Sequence, residues 1–158
     1  MMESLNNNSH KHTVHHVLAH SYLLYFTLFL LGIFLDFIYN YKISEDIIMA
    51  PTGFAFLVFA TIVILWAQKT GRDFSKTKEL KTLEHFYRGP YCYTRIPTQW
   101  GLFLLMFGFG LVVNSFFISI FTIIAFLISR FIFIDKHDRI LVEKYGEAYT
   151  QYKKIVKL

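Results

Sequence analysis

The sequence predicts an all-α membrane protein with four transmembrane helices, of which the last two form a helical hairpin, and a C-terminal amphipathic helix. Of its 158 residues, 54% are hydrophobic and only 17% are charged, whereas soluble domains carry about 25% charged residues. The apolar residues are clustered in long runs instead of being spread along the chain, which is typical of membrane spans. Turn-forming residues separate these runs.

The first span is predicted at Tyr22–Tyr39. Its 18 residues would rise about 27 Å, close to the thickness of the hydrocarbon layer. Tyrosines flank the run as interfacial aromatic residues do. Residues 1–21 form a polar, histidine-rich segment, expected to be helical only near its end. No signal-peptidase pattern follows, so we expect the span to be retained, and residues 22–158 to form one membrane domain.

The second span is predicted at residues 51–67, with Pro51 in its first turn. After the polar segment 68–99, an apolar run of 35 residues extends to Ile134. As one helix it would rise about 52 Å, which is too long for a bilayer without severe tilt. Because Asn114 and Ser115 are turn and cap formers, the run is divided into spans at 100–113 and 116–134.

The tail, residues 135–158, is charged but periodic. Its apolar positions recur at spacings of three and four residues: Leu141, Tyr145, Tyr149, Tyr152 and Val156. This pattern predicts an amphipathic helix, whose tyrosines we interpret as packing residues. Gly146 is unfavourable inside a helix, and either a close helix contact or a break in the helix would explain it.

Basic residues predict the orientation. Of the 16 lysines and arginines, only Lys42 lies in the link between the first two spans. Four spans place all the others on one side, which the positive-inside rule makes cytoplasmic, together with both termini. We expect an integral protein of a bacterial inner membrane whose surplus positive charge contacts anionic lipids. Nucleic-acid binding is not expected.

Neither a disulfide nor a metal site is expected. Cys92 is the only cysteine, which excludes an internal disulfide, and we interpret it as a small packing residue. His12, His16 and His20 would share one helical face, but no cysteine and no acidic residue other than Glu3 lies near them. We therefore interpret the histidines as a solvated tract and not as metal ligands.

The two polar segments, 68–99 and 135–158, are expected to meet at the cytoplasmic end of the hairpin and to form a site there. In the first segment, Gly89-Pro90-Tyr91 predicts a rigid turn, and Arg95 to Pro97 predicts a second one. Backbone groups in such turns need partners near a membrane, which protein, water or a ligand can provide.

The second polar segment offers charges at the mouth of the hairpin. Asp135 and Asp138 are three residues apart and are predicted to share a helix face, and Arg130 precedes them. Two carboxylates and an arginine suit the ammonium, hydroxyl and carboxylate groups of a zwitterionic nucleoside cofactor. The helix dipole alone would also favour aspartates at the start of a helix.

Together, the run "GPYCYTRIPTQWG", the apolar hairpin and "DKHDRILVEKYGEAYTQYKK" resemble the isoprenylcysteine carboxyl methyltransferase and phospholipid methyltransferase family, over about residues 68–157. The family pattern is Gly-Pro-Tyr, Arg-His-Pro-x-Tyr-x-Gly, a helical hairpin, Glu-Glu and Phe-Gly-Glu-x-Tyr-x-x-Tyr. The resemblance implies an integral-membrane enzyme that moves a methyl group from S-adenosylmethionine to a lipid-like or hydrophobic acceptor. The implied cofactor pocket faces the cytoplasm.

The resemblance also implies a set of cofactor-binding residues on both sides of the hairpin: Leu83, Glu84, His85, Phe86, Tyr91, Arg95, Ile96, Pro97, Gln99, Asp135 and Asp138. Arg130 lies one residue from a substrate-contacting arginine of the family and is the candidate catalytic residue. The chain departs from the family pattern at three points. Ile96 replaces the histidine, Gln99 replaces the tyrosine, and His137-Asp138 replaces the Glu-Glu pair.

These departures leave two alternatives open: a non-catalytic membrane protein that keeps the fold, and a membrane reductase with a similar helical arrangement and a nicotinamide cofactor. The absence of an evident catalytic triad does not argue against methyl transfer, because a sulfonium methyl is already activated and the reaction needs mainly alignment. The acceptor stays open between a lipid amine, a prenylated cysteine carboxylate, a thiol and a small hydrophobic molecule.

Overall fold

The computed structural model describes residues 2–39, 41–44, 47–76 and 88–156. The helices in chain order are α1 (Met2–Tyr39), α2 (Met49–Lys76), α3 (Pro97–Val112), α4 (Phe116–Ile128), α5 (Ile134–Tyr145) and α6 (Glu147–Ile155). A 3₁₀ turn at Gly89–Cys92 precedes α3, and a π-helical turn at Ser129–Phe133 joins α4 to α5. Within the described ranges the only β pairing is an isolated bridge between Lys42 and Ser115, so the all-helical class is confirmed.

Three helical stretches are long and apolar enough to cross a membrane: Ala19–Tyr39, Met49–Arg72 and Phe116–Glu143. Large apolar side chains are exposed along them, such as Phe37 at 89% and Phe131 at 73%, as expected for a surface that faces lipid instead of water. The remaining apolar helix, α3, has 16 residues and is shorter than these three. The fourth crossing therefore stays a prediction.

The predicted break in the apolar run is confirmed. Asn114 has a positive φ of 56°, a conformation that asparagine tolerates better than most residues. The side chain of Ser115 caps α4, since its Oγ accepts a hydrogen bond of 3.2 Å from the backbone N–H of Ile118. Helix α3 begins at Pro97, three residues before the predicted start, with proline in the first turn as is favourable.

One end of the bundle joins the α1–α2 link to the hairpin turn, and we call this the link end (residues 41–44 and 113–116). Here the side-chain oxygen of Asn114 accepts hydrogen bonds from the backbone N–H groups of Ile43 and Ser44, at 3.1 and 3.2 Å. The hairpin turn is thus tied to the link between the first two helices.

Helices α2 and α3 pack with their backbones in contact. A Cβ added to Gly53 would lie 2.6 Å from the carbonyl oxygen of Gly108, and one added to Gly101 would lie 2.4 Å from Cγ1 of Ile64. Because later residues of α2 meet earlier residues of α3, the two helices are antiparallel. Helix α3 therefore runs from the opposite end of the bundle back to the link end.

The two termini differ from their predictions. Helix α1 begins at Met2, so the N-terminal polar residues extend the first helix over more of their length than expected. The tail consists of two helices instead of one, with Gly146 between them at a φ of 61°. No described atom lies within 4 Å of a Cβ placed on this glycine, so a break and not a close contact explains it.

Candidate functional site

Polar side chains gather at the other end of the bundle, which we call the site end (residues 88–99 and 129–156). The turn that opens it depends on Gly89, which has a φ of 58°. A Cβ there would lie 2.5 Å from Oγ1 of Thr70, so only glycine fits both the conformation and the contact with α2. The backbone N–H of Tyr91 donates to the carbonyl of Arg88 at 3.2 Å, which closes the turn.

A charged cluster links this turn to the helices that follow the hairpin. Asp138 is buried, with 2% of its surface exposed, and one of its carboxylate oxygens pairs with Nη1 of Arg95. The same oxygen lies 3.1 Å from Nζ of Lys153. The other oxygen accepts a hydrogen bond of 2.7 Å from the hydroxyl of Tyr149. Among the described residues, two cations thus surround one carboxylate, which leaves a surplus of one positive charge.

Helix α6 docks on the opening turn through its tyrosines. The hydroxyl of Tyr152 donates to the backbone carbonyl of Tyr91 at 2.6 Å, and the rings of Tyr149 and Tyr152 lie 5.7 Å apart. Burial raises the pKa of both phenols, and the carboxylate of Asp138 raises that of Tyr149 further. Both hydroxyls therefore stay protonated at neutral pH and donate. The prediction that the two polar segments meet in one place is confirmed.

A second polar group lies deeper, where three helical elements meet. The side-chain NH₂ of Gln99 donates to Oγ of Ser21 at 2.9 Å. The hydroxyl of Ser129 donates to the carbonyl oxygen of Gln99 at 3.1 Å, and the two serine oxygens are 2.7 Å apart. We call these three residues the Ser–Gln–Ser ring. All three are buried, with at most 5% of their surface exposed.

Arg130 follows the ring directly, within the π-helical turn. Turns of this kind are rare and occur often at functional sites. Arg130 is half-buried as a residue, and its guanidinium makes no hydrogen bond or ion pair with any residue that the structure describes. Because a partly buried cation at the end of an apolar helix is costly unless it is paired, an anionic group is the partner expected for Arg130.

The predicted cofactor residues other than Asp135 fall into two groups. Leu83, Glu84, His85 and Phe86 lie outside the described residues. Tyr91, Arg95, Ile96, Pro97, Gln99 and Asp138 all lie at the site end, and all are buried or half-buried. The polar groups of Asp138 and Gln99 contact protein partners, which is a structural role that the sequence did not predict for them. Their roles in cofactor binding stay predictions.

Asp135 and Asp138 differ in exposure. Both lie in α5, but Asp135 is exposed whereas Asp138 is buried and contacts Arg95 and Tyr149. A joint role of the two aspartates in cofactor binding stays a prediction.

Sequence reasoning missed three polar side chains at the site end: Ser21, Ser129 and Lys153. The two serines carry no motif, because a serine in an apolar helix usually bonds to its own backbone. Ser21 directly precedes the first predicted span, whereas Ser129 lies inside the last predicted span, beside Arg130. Lys153 was counted only for the orientation of the chain. Among the described residues, no group of three or more His, Cys, Asp or Glu side chains could hold a metal ion.

The sequence of the chain matches the model of a known family. The sequence profile described as phospholipid methyltransferase matches residues 48–148, well over half of the chain. The protein belongs to this family of membrane methyltransferases. No curated protein and no solved structure matches the chain. The matched region contains α2 to α5, whereas α1 and most of α6 lie outside it.

Proposed function

We propose that the protein transfers a methyl group from S-adenosylmethionine to a lipid-like acceptor at the site end of the bundle. The observation that carries this proposal is the meeting of residues 88–99 with α5 and α6 around Asp138, in a chain that belongs to a methyltransferase family. Apolar helices with exposed aliphatic and aromatic side chains lead to this polar end. An acceptor is thus expected to arrive from the bilayer and the cofactor from the aqueous side.

The charges at the site end fit S-adenosylmethionine. The cluster of Arg95, Asp138 and Lys153 has surplus positive charge, and the side chain of Lys153 is 43% exposed, which suits the carboxylate of the cofactor. The exposed carboxylate of Asp135 suits its ammonium group. In this proposal Asp138 acts indirectly, because it holds Arg95 and Lys153 in place.

Arg130 is the proposed acceptor-binding residue. The residue is half-buried, its guanidinium has no partner among the described residues, and it can orient an acceptor that carries an anionic group. S-adenosylmethionine supplies a methyl group activated by the sulfonium; transfer breaks the sulfur–methyl bond and forms one to the acceptor nucleophile. The protein's task is to align these two atoms and to exclude water.

A non-catalytic protein that retains the fold is the second candidate. The observations that favour it are the protein partners of Gln99 and Asp138, together with Ile96 in place of the family histidine. In this candidate, these residues hold the helices together and no longer bind a cofactor.

A titration of the purified protein in detergent separates these candidates. We expect saturable binding of S-adenosylmethionine and none of a reduced nicotinamide dinucleotide. Asp138→Asn should weaken the binding of S-adenosylmethionine about tenfold or more, as expected when charge-assisted contacts are lost. Asp36→Asn, which changes a carboxylate toward the opposite end of α1, is the matched control and should bind as the wild type does. Binding of neither cofactor supports the non-catalytic candidate, and binding of the dinucleotide alone supports a reductase.

A further inference from the structure

The hydrogen bonds of the Ser–Gln–Ser ring have one consistent direction. Gln99 donates to Ser21, and Ser129 donates to Gln99. Because the single proton of Ser129 is used in that bond, Ser21 must donate to Ser129 across their 2.7 Å contact. Each hydroxyl then donates once and accepts once, and both ends of the Gln99 amide are bonded. No other side chain of these three helical elements is needed to satisfy the ring.

The ring lies next to two charged residues of the candidate site. Gln99 is in the first turn of α3, directly after the loop that carries Arg95, and its backbone N–H donates to the carbonyl of Ile96 at 3.0 Å. Ser129 is the first residue of the π-helical turn and the neighbour of Arg130. Ser21 adds α1, which lies outside the region matched to the family. The ring thus joins three separate parts of the chain beside the candidate site.

The ring holds the first residue of the π-helical turn. A π turn inserts an extra residue into the helical hydrogen-bond pattern and occurs often at functional sites. Ser129 is 1% exposed, whereas Phe131 is 73% exposed, so the hydrogen bonds of Ser129 fix the rotation of the turn about the helix axis from its buried side. This rotation determines the direction in which Arg130 points.

We infer that the Ser–Gln–Ser ring is a positioning device that fixes the π-helical turn and thereby orients Arg130 toward the acceptor. Gln99 stands where the family pattern has tyrosine. Its amide has a donor and an acceptor on separate atoms, so it bonds to Ser21 through one and to Ser129 through the other. A phenol would have to make both hydrogen bonds through its single oxygen. Ser21 makes α1 part of the site. The functional part of this inference rests on the proposed methyl transfer.

The test compares Ser129→Ala and Ser21→Ala with Thr122→Val. Thr122 is a matched control because it is also a buried hydroxyl in a membrane helix, but it bonds only to the carbonyl of Ile118 in its own helix, at 2.8 Å. Ser129→Thr keeps the hydroxyl and should retain wild-type behaviour, which shows that any loss in Ser129→Ala comes from the hydrogen bonds and not from poor folding.

The first readout is methyl transfer from S-adenosylmethionine to vesicles of phosphatidylethanolamine and phosphatidylglycerol. We expect Ser129→Ala to raise the acceptor KM about fivefold, with the Kd for S-adenosylmethionine unchanged. In an Arg130→Gln background, Ser129→Ala should have no further effect on KM, because the ring acts through Arg130. An equal effect of Ser129→Ala in both backgrounds would overturn the inference.

The second readout does not depend on the activity. Phenylglyoxal modifies accessible guanidinium groups, and mass spectrometry of the peptide containing Arg130 gives its rate. We expect this rate to change at least about threefold in Ser129→Ala and in Ser21→Ala, and to stay unchanged in Thr122→Val. If the wild type binds no S-adenosylmethionine, the proposed function fails, and this rate alone decides the inference. An unchanged rate in both serine variants would overturn it.

Discussion

Asp138 is surrounded by protein groups that stabilise a carboxylate: Arg95, Lys153 and the hydroxyl of Tyr149. The side chains of Asp138 and Arg95 are 3% and 9% exposed, so water stabilises neither charge to any large extent. Removing one member of a buried ion pair is costly because the other remains desolvated. Asp138 therefore stabilises the contact between the opening turn and the two tail helices.

Asp138→Asn should accordingly destabilise the protein by about 3–5 kcal/mol, the usual cost of breaking a buried pair. The measurement is thermal unfolding in detergent, followed by intrinsic fluorescence. Asp135→Asn is the control, because this exposed aspartate has no hydrogen bond or ion pair with the described residues, and its change should stay within about 0.5 kcal/mol. Equal effects of the two substitutions would contradict the assigned role of Asp138.

Removing the hydroxyl of Tyr25 should stabilise the protein instead of destabilising it. It is 1% exposed, and its hydroxyl has no hydrogen-bond partner among the described residues. A buried hydroxyl without a partner is destabilising, so Tyr25→Phe should raise the free energy of unfolding by about 1 kcal/mol. Thermal unfolding in detergent measures this change in stability. Tyr149→Phe is the control, because it removes the hydrogen bond to Asp138 and should lower the melting temperature. A lower melting temperature for Tyr25→Phe would contradict the absence of a hydrogen bond at this hydroxyl.

At single positions, sequence reasoning identified charged and aromatic candidates better than neutral polar ones. Arg95 and Asp138 stand out because charges are rare beside apolar runs. Ser21 and Ser129 do not, because a helical serine has a partner in its own backbone. Only the packing of three helical elements brings these serines to Gln99, and a single sequence does not contain that contact.

Helices α2 and α3 approach each other closely. Gly53 and Gly108 allow the two backbones to touch, and this contact sets the position of α3, which carries Gln99 at its start. Small residues serve this purpose in membrane proteins because close packing replaces the hydrophobic effect between helices. The short helix α3 is thereby held in register with a helix long enough to span the membrane.

Gly53→Ala should disturb this contact. The added Cβ would lie 2.6 Å from both the carbonyl oxygen of Gly108 and the backbone nitrogen of Val112, and backbone atoms move only if the helices separate. We expect a loss of about 1–3 kcal/mol in thermal unfolding, as for other overpacked sites. Gly71→Ala, in the same helix, has only a contact of 3.7 Å with the hydroxyl of Tyr91 and should be neutral or stabilising. If Gly53→Ala is tolerated equally well, α2 and α3 do not pack this closely.

The helices show which boundaries a sequence specifies. The hairpin turn was predictable because Asn114 and Ser115 have conformational and capping preferences of their own. The break at Gly146 was one of two explanations that the sequence left open, and the absence of a close neighbour decides between them. The π-helical turn was not predictable, because the residues of Ser129–Phe133 have no local preference for it and the contacts at its first residue are tertiary.

The whole molecule has two ends of different chemistry, and the basic residues predict that the site end faces the cytoplasm. Tyr41 at the link end is 62% exposed and Tyr93 at the site end is 80% exposed. In a Cys92→Ser background, Tyr41→Cys and Tyr93→Cys should react with a membrane-impermeant maleimide from opposite sides of sealed vesicles, Tyr93→Cys from the cytoplasmic side. This result requires an odd number of crossings between the two positions. Labelling of both from the same side would contradict the arrangement.

The central claim is that the residues flanking the last two apolar helices form one site for S-adenosylmethionine. Ultraviolet cross-linking of radiolabelled S-adenosylmethionine to the protein in detergent, followed by peptide mapping, tests it most directly. The account predicts label in the peptides that contain residues 88–99 and 135–152, removed by excess S-adenosylhomocysteine. Competable label confined to the link end, at residues 41–53 or 109–118, would contradict it.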